Sequence, residues 1–244
     1  MTKPNLPSDR LLIIEGNIEN GQIRGSLPYS EISKAVLQDK KIVILKSVFD
    51  QETLLPLQEK FLEWGKRTAP QVKDDKSFHR IDHDHHLSQA RHITHFFNFS
   101  FEEGKIEPEL KEAIFPVFDA MRRLQNEIAS LNAKFTFPSN GSILRPQAIH
   151  YPAGGGNFGR HQHPYEPQRC GLILGLSKKG LDFDKGGTCF EINGQVVNTE
   201  NHHDLGDIIL FRYDLPHWIT PIDPEKELNF DSSAGRWTMI LPYY

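Results

Sequence analysis

The C-terminal part of the chain is a succession of short strand-like segments separated by turn residues, and this pattern constrains the fold most strongly. Residues 170–177 (CGLILGLS) alternate between two faces, as a strand packed on both sides does. Further segments of this kind lie at 143–158, 205–222 and 235–244, and residues 181–194 suggest a strand, a Gly-Gly turn and a second strand. Several short strands at this spacing favour a sandwich or a barrel.

The N-terminal part of the chain predicts one strand and two helices that brace one outer face of such a barrel. Residues 40–49 have the β-branched run of a strand, and apolar residues recur at helical spacing in 51–65, with Gly65 placed as a C-cap. Residues 108–132 form a second apolar stripe, which Pro116 should kink or split. We therefore expect one mainly β domain with flanking helices, in which residues 1–142 support a core formed by residues 143–244.

Composition narrows the classes of function. The chain of 244 residues has a net charge of -4, which disfavours nucleic acid and anionic membranes as partners. It has no apolar run long enough to span a bilayer, and its first residues lack a secretory signal. Only 2 cysteines are present, too few for a disulfide framework. We expect a reduced, cytoplasmic protein that acts on a small molecule.

Two histidines separated by one residue, His161 and His163, indicate a metal site. Side chains at i and i+2 of a strand point to the same face, so both imidazoles can reach one ion. His217, which follows a predicted strand and a proline, is the best third ligand. Arg236 lies on an apolar strand with no acidic neighbour. It should therefore be buried and require an anion, and Thr238 lies on the same face.

Taken in chain order, the segments HYPAGGGNFGRHQH, RCGLILGLS, DKGGTCFEI, LGDIILFRYDLPHW and GRWT resemble the Fe(II)- and 2-oxoglutarate-dependent oxygenases. The resemblance covers about residues 144 to 244 and implies a double-stranded β-helix, a jelly-roll or cupin-like barrel. It implies that His161 and His217 bind Fe(II), and that Arg236, Thr238 and, less specifically, Tyr151 hold 2-oxoglutarate. The implied activity is a dioxygenase that consumes dioxygen and hydroxylates its substrate, with desaturation, cyclisation or halogenation as alternatives.

His163 stands where the resembled family has aspartate or glutamate, and three interpretations remain. It completes a three-histidine iron site, it leaves an open position of the kind found in halogenating members, or Glu166 supplies the carboxylate instead. The motif around His161 and His163 also resembles a cupin, so a cupin-type dioxygenase or isomerase that does not use 2-oxoglutarate is an alternative. A barrel that binds a carboxylate without catalysis is another.

Residues 77–99 are rich in histidine, and we interpret them as a polar loop over the mouth of the barrel. Spacing there does not match a metallo-hydrolase or a zinc protease. A polar substrate such as an amino acid or its derivative is the expectation. Its candidate contacts in this loop and on the barrel strands are Arg80, His83, His85, Arg91, His150 and Trp218.

Overall fold

Two β-sheets and three α-helices make up the described chain. The computed structural model describes residues 9–67, 79–81, 94–95, 97–100, 106–135, 144–229 and 231–243. The helices are α1 (Tyr29–Ser33), which runs into a π-helical turn at Lys34–Gln38, α2 (Gln51–Arg67) and α3 (Pro108–Ala129). The strands are β1 (Leu11–Glu19), β2 (Gln22–Gly25), β3 (Ile42–Lys46), β4 (His79–Ile81), β5 (Thr94–His95), β6 (Phe97–Ser100), β7 (Gln147–Pro152), β8 (Gly156–His161), β9 (Cys170–Gly175), β10 (Gly187–Ile192), β11 (Gln195–Asn198), β12 (Ile208–Arg212), β13 (His217–Ile222) and β14 (Gly235–Ile240).

The strands form a large and a small sheet. In the described chain the large sheet has 9 strands in the order β2-β1-β3-β12-β9-β14-β7-β6-β4, and the small sheet has 5 in the order β11-β10-β13-β8-β5. Neighbouring strands are antiparallel except for the pair β1 and β3. Apolar residues of both sheets pack together, for example Phe190 of β10 with Phe211 of β12. The chain thus builds the double-stranded β-helix that was expected.

The helices cover the outer face of the large sheet. Phe61 and Trp64 of α2 share one apolar cluster with Leu174 of β9 and Trp237 of β14, and Met121 of α3 joins it. This face buries Cys170, Leu172, Leu174 and Leu176, the set that alternation assigned to one side of β9. The prediction that helices brace one outer face is therefore confirmed. None of the helices in the described segments is long and apolar enough to cross a membrane.

A glycine is required at the β7–β8 turn. Gly154 has a φ of +96°, and a Cβ there would lie 2.5 Å from the backbone of Leu228. The predicted strand at 143–158 is accordingly two strands, β7 and β8, joined by this turn. This turn brings the chain back across the barrel, so that β8 lies in the small sheet and β7 in the large one.

Three local predictions about the chain were wrong. Helix α2 continues past Gly65 to Arg67, because Trp64 still packs into the core and holds that turn. Of the two outcomes predicted at Pro116, a kink or a split, the split is wrong, because helix α3 runs through the proline as one helix. Residues 181–186 form no strand, because the backbone N–H groups of Asp184 and Lys185 donate to Asp223 Oδ1, at 3.0 and 2.7 Å.

Candidate metal centre and its cavity

Three imidazoles meet at one wall of the barrel. His161 ends β8 and His217 begins β13, and the two are register partners on adjacent strands. His163 follows two residues after His161. The ring centroids of His161 and His217 are 4.3 Å apart, and that of His163 lies 5.0 Å from the first and 5.4 Å from the second. One candidate ligand atom from each ring lies within 4.8 Å of the other two.

Hydrogen bonds select which nitrogen each strand histidine offers. Nδ1 of His161 lies 2.8 Å from the carbonyl oxygen of Gly159, and Nδ1 of His217 lies 2.9 Å from that of Leu215. A carbonyl oxygen can only accept, so Nδ1 carries the proton in both rings. Nε2 of each ring then has its lone pair available to a metal, in the tautomer that such second contacts fix in metalloproteins.

Burial keeps the imidazoles of His163 and His217 neutral. Desolvation, followed by the charge of His161, lowers the pKa of His163 to about 4. Desolvation likewise lowers the pKa of His217 to about 3. A neutral imidazole is the form that coordinates a metal, so at neutral pH His163 and His217 need no deprotonation before they bind one. Three nitrogen ligands on one wall of a cavity fit Fe(II), which accepts imidazole well.

The histidines open onto a cavity of about 400 Å³ between the two sheets. That volume lies within the range of small-molecule sites. Among the predicted site residues, the metal candidates and Arg236, Thr238, Trp218 and Tyr151 all line this cavity. The structure thus brings together, around one cavity, the residues that the sequence assigned to metal and co-substrate.

Arg236 is almost fully buried, at 1% exposure, and contacts the cavity. Its Nε donates to Glu200 Oε1 at 2.9 Å, and its Nη2 donates to Thr188 Oγ1 at 2.7 Å. Its Nη1 is buried and has no hydrogen-bond partner within the described residues. An unsatisfied buried guanidinium nitrogen is costly, so Nη1 is suited to a carboxylate ligand entering the cavity.

Glu200 is a buried partner of Arg236 that sequence reasoning did not single out. It lies in the polar run of residues 200–204, yet Glu200 is 5% exposed and His203 is 4% exposed. Burial alone would raise the pKa of Glu200. The charges of Arg236 and His203, with hydrogen bonds from Arg236 and the Thr188 N–H, instead hold it below its usual value. Arg236 requires an anion, as expected, and the chain itself supplies one in Glu200, from a segment distant in sequence.

Other predicted contacts lie elsewhere. Glu166 is at the cavity wall but outside the histidine cluster, and both of its carboxylate oxygens accept from Arg169 Nε, at 3.0 and 3.1 Å. His150 does not line the cavity, because it points to the opposite face of β7 and stacks on Trp237, with centroids 4.0 Å apart. His83, His85, Arg91 and the side chain of Arg80 lie outside the described residues.

Solved structures share this architecture at low sequence identity. A prolyl-4-hydroxylase from Pseudomonas putida matches with a TM-score of 0.56 and 12% identity, over 88% of this chain and 98% of that one. A prolyl hydroxylase from Trichoplax adhaerens, in complex with a hypoxia inducible factor peptide fragment, matches with a TM-score of 0.54 and 14% identity, over 88% and 90%. The chain has the fold of the 2-oxoglutarate-dependent oxygenases.

An oxidoreductase of the 2OG-Fe(II) oxygenase family from Burkholderia pseudomallei also matches, with a TM-score of 0.48 and 10% identity over 94% of each chain. No family model matches the sequence, and no curated protein matches it. Within the oxygenase fold, the three-histidine cluster stands at the wall where the sequence predicted the metal.

Proposed function

We propose that this chain is a non-haem Fe(II)- and 2-oxoglutarate-dependent oxygenase. The observation that carries the proposal is the pairing, around one cavity, of three clustered histidines with a buried arginine that still has one nitrogen without a partner in the described structure. His161, His163 and His217 would hold the iron. When bound, the iron supplies the redox chemistry that couples oxidative decarboxylation of 2-oxoglutarate to oxidation of a C–H bond.

The chain's own residues bind and orient the co-substrate in this proposal. Arg236 Nη1 donates to the far carboxylate, and Thr238, two residues along the same strand, lines the same part of the cavity. Tyr151 is the register partner of Arg236 on β7, and burial raises the pKa of its phenol, so it acts as a neutral O–H donor. Apolar side chains from both sheets exclude water from the same space, which strengthens each of these polar contacts.

We propose a small polar metabolite, such as an amino acid or a derivative, as the primary substrate. A cavity of about 400 Å³ matches a substrate of that size. The Trichoplax prolyl hydroxylase holds a peptide fragment, so a side chain presented on a peptide is the second form to be tested. Trp218 on β13 lines the cavity beside the metal ligand His217 and offers a flat surface to either.

One observation favours a second function. Arg236 already has a counter-charge in Glu200, so the buried arginine does not need a carboxylate from 2-oxoglutarate. A cupin-type dioxygenase that does not use 2-oxoglutarate is consistent with this arrangement. Oxygen uptake separates the two functions, measured with Fe(II), with and without 2-oxoglutarate, over amino acids, small metabolites and proline-containing peptides. We expect uptake and succinate only when 2-oxoglutarate is present. Uptake that ignores 2-oxoglutarate would support the cupin-type enzyme, and binding of 2-oxoglutarate without uptake would support a non-catalytic barrel.

The metal assignment has its own test. We expect His161→Ala and His217→Ala each to abolish stoichiometric Fe(II) binding, and His163→Ala to weaken it, because each removes one ligand nitrogen. Metal content after anaerobic loading and desalting measures this. His202→Ala is the matched control, since His202 is outside the cluster and the cavity lining. Full metal content in the His161 or His217 variant would refute the assignment.

A further inference from the structure

The buried carboxylate of Glu200 beside Arg236 affects which acids the cavity can bind. Glu200 lies in the connection between β11 and β12, and it reaches Arg236 on β14, far away in sequence. Its Oε1 accepts from Arg236 Nε at 2.9 Å, and its Oε2 accepts from the Thr188 N–H at 2.9 Å. Both oxygens are therefore held, and the carboxylate cannot turn away from the arginine without breaking a buried bond.

The backbone makes room for this carboxylate. Gly187 has a φ of +140°, and a Cβ at that position would lie 2.5 Å from Cβ and Cγ of Glu200 and 2.7 Å from its Oε2. A side chain there would collide with the glutamate. The glycine thus permits Glu200 to sit between β10 and the guanidinium. The pair is accordingly a packed part of the barrel interior, with 1% and 4% side-chain exposure for Arg236 and Glu200.

The pair changes what the arginine offers to a ligand. Two guanidinium nitrogens, Nε and Nη2, are engaged by Glu200 and Thr188, which leaves Nη1 as the nitrogen without a partner in the described structure. The Arg236–Glu200 pair is also neutral as a unit. The electrostatic attraction between a charged far carboxylate and a neutral pair is weaker than that between the same carboxylate and a lone arginine. An acid with an uncharged far end loses less binding energy when the lone arginine is replaced by the pair.

We propose that Glu200 is a specificity-determining residue that relaxes the preference of this site for dicarboxylate 2-oxo acids. The site binds 2-oxoglutarate weakly for an arginine-based site and accepts shorter monocarboxylate 2-oxo acids, such as 2-oxobutyrate, with similar affinity. This rests on the proposed function for the choice of 2-oxo acids as ligands. The selectivity itself is a property of Arg236, Glu200 and Thr188, and it can be measured without turnover.

The test is the ratio of the dissociation constants of 2-oxobutyrate and 2-oxoglutarate, measured by calorimetry on protein loaded with Zn(II), which supports no turnover. In the wild type we expect this ratio to be below about ten. Glu200→Gln removes the charge at nearly constant volume, and we expect 2-oxoglutarate to bind on the order of tenfold more tightly while 2-oxobutyrate changes little. Glu200→Asp keeps the charge and should preserve the wild-type ratio.

Two further variants keep the test decisive. Glu191→Gln changes a partly exposed glutamate on β10 that pairs with Arg160, away from the cavity, and should leave the ratio unchanged. Thr188→Val frees Nη2 of Arg236 without touching Glu200, and should favour 2-oxoglutarate several-fold; it serves if Glu200→Gln does not fold.

An unchanged ratio in both Glu200→Gln and Thr188→Val, or equal weakening of both acids, overturns this inference alone. Binding of neither acid to any of these proteins overturns it together with the proposed function. Absence of 2-oxoglutarate-dependent oxygen uptake, with the selectivity change intact, overturns the proposed function and leaves the selectivity assignment standing.

Discussion

We expect low pH to reduce the free energy of unfolding of this protein through His150, and we expect replacement of His150 to remove a calculable part of that reduction. His150 is fully buried, stacked on Trp237 at an interplanar angle of 8°, and its Nε2 lies 3.2 Å from the carbonyl oxygen of Ala234. Burial lowers its pKa from 6.5 to about 3, although the contact with Ala234 partly opposes that shift. The folded protein therefore keeps His150 neutral where the unfolded chain would protonate it.

The sign and size follow from linkage. Well above pH 6.5 neither state carries the proton, so His150 contributes almost no pH dependence to stability there. As the pH falls from 6.5 towards 3, only the unfolded chain gains the proton, and the free energy of unfolding drops by about 1.4 kcal/mol for each pH unit. At pH 5 the accumulated loss from this one residue is about 2 kcal/mol. That is a large part of the stability of an ordinary domain.

Two variants separate the titration from the packing. His150→Phe keeps a ring against Trp237 but loses the bond to Ala234, and His150→Gln keeps a donor but loses the ring. Urea unfolding followed by circular dichroism, with a chelator present, gives the free energy of unfolding at pH 7.5 and pH 5. We expect both variants to lose about 2 kcal/mol less than the wild type between these two pH values, whatever their stability at pH 7.5. Equal losses in all three proteins would refute the reasoning.

Two further substitutions test the packing of the barrel and its connections. Gly171→Ala would place a Cβ 2.2 Å from the ring of Phe211, which packs against Phe190 and cannot retreat freely, so thermal unfolding should show a loss of about 1–3 kcal/mol. Asp207→Asn breaks the pair with Lys46 and weakens one of the bonds from backbone N–H groups, and urea unfolding should show a loss of about 2 kcal/mol. The exposed pair Lys60–Glu109 is the control for the second substitution, and Glu109→Gln should change nothing measurable. A wild-type melting curve for Gly171→Ala, or equal effects at Asp207 and Glu109, would contradict these expectations.

Strand periodicity predicted which residues of the site share a face. It paired His161 with His163 and Arg236 with Thr238, whereas His217 was assigned from its position after a predicted strand and a proline. All of these residues line the cavity. The same alternation explains why His150 lies elsewhere. It is adjacent to Tyr151 in the regular strand β7 and faces away from the cavity that Tyr151 lines, whereas His217 and Trp218, at the irregular start of β13, both line the cavity.

Pairs of residues that are distant in the chain cannot be predicted from local sequence. Glu200 and Arg236 are separated by 36 residues, and nothing in the polar run that holds Glu200 marks it as buried. Its burial depends on where the connection after β11 packs against β10 and β14. The predicted strand at 181–186 fails for a related reason, because Asp223 from a distant turn captures the backbone N–H groups that a strand would have used.

The position of His163 shows how an imidazole can stand where the resembled family has a carboxylate. His163 lies beyond the end of β8, so no strand hydrogen bonds orient it. Its ring instead lies parallel to that of Tyr213, with centroids 4.3 Å apart and an interplanar angle of 8°. A carboxylate could not make that stack, since it has no ring face to present. Stacking on Tyr213, which follows β12, therefore orients the ring of His163 towards His161 and His217. The resulting cluster of three histidines contains no carboxylate, and the buried carboxylate of Glu200 lies beside Arg236, outside that cluster.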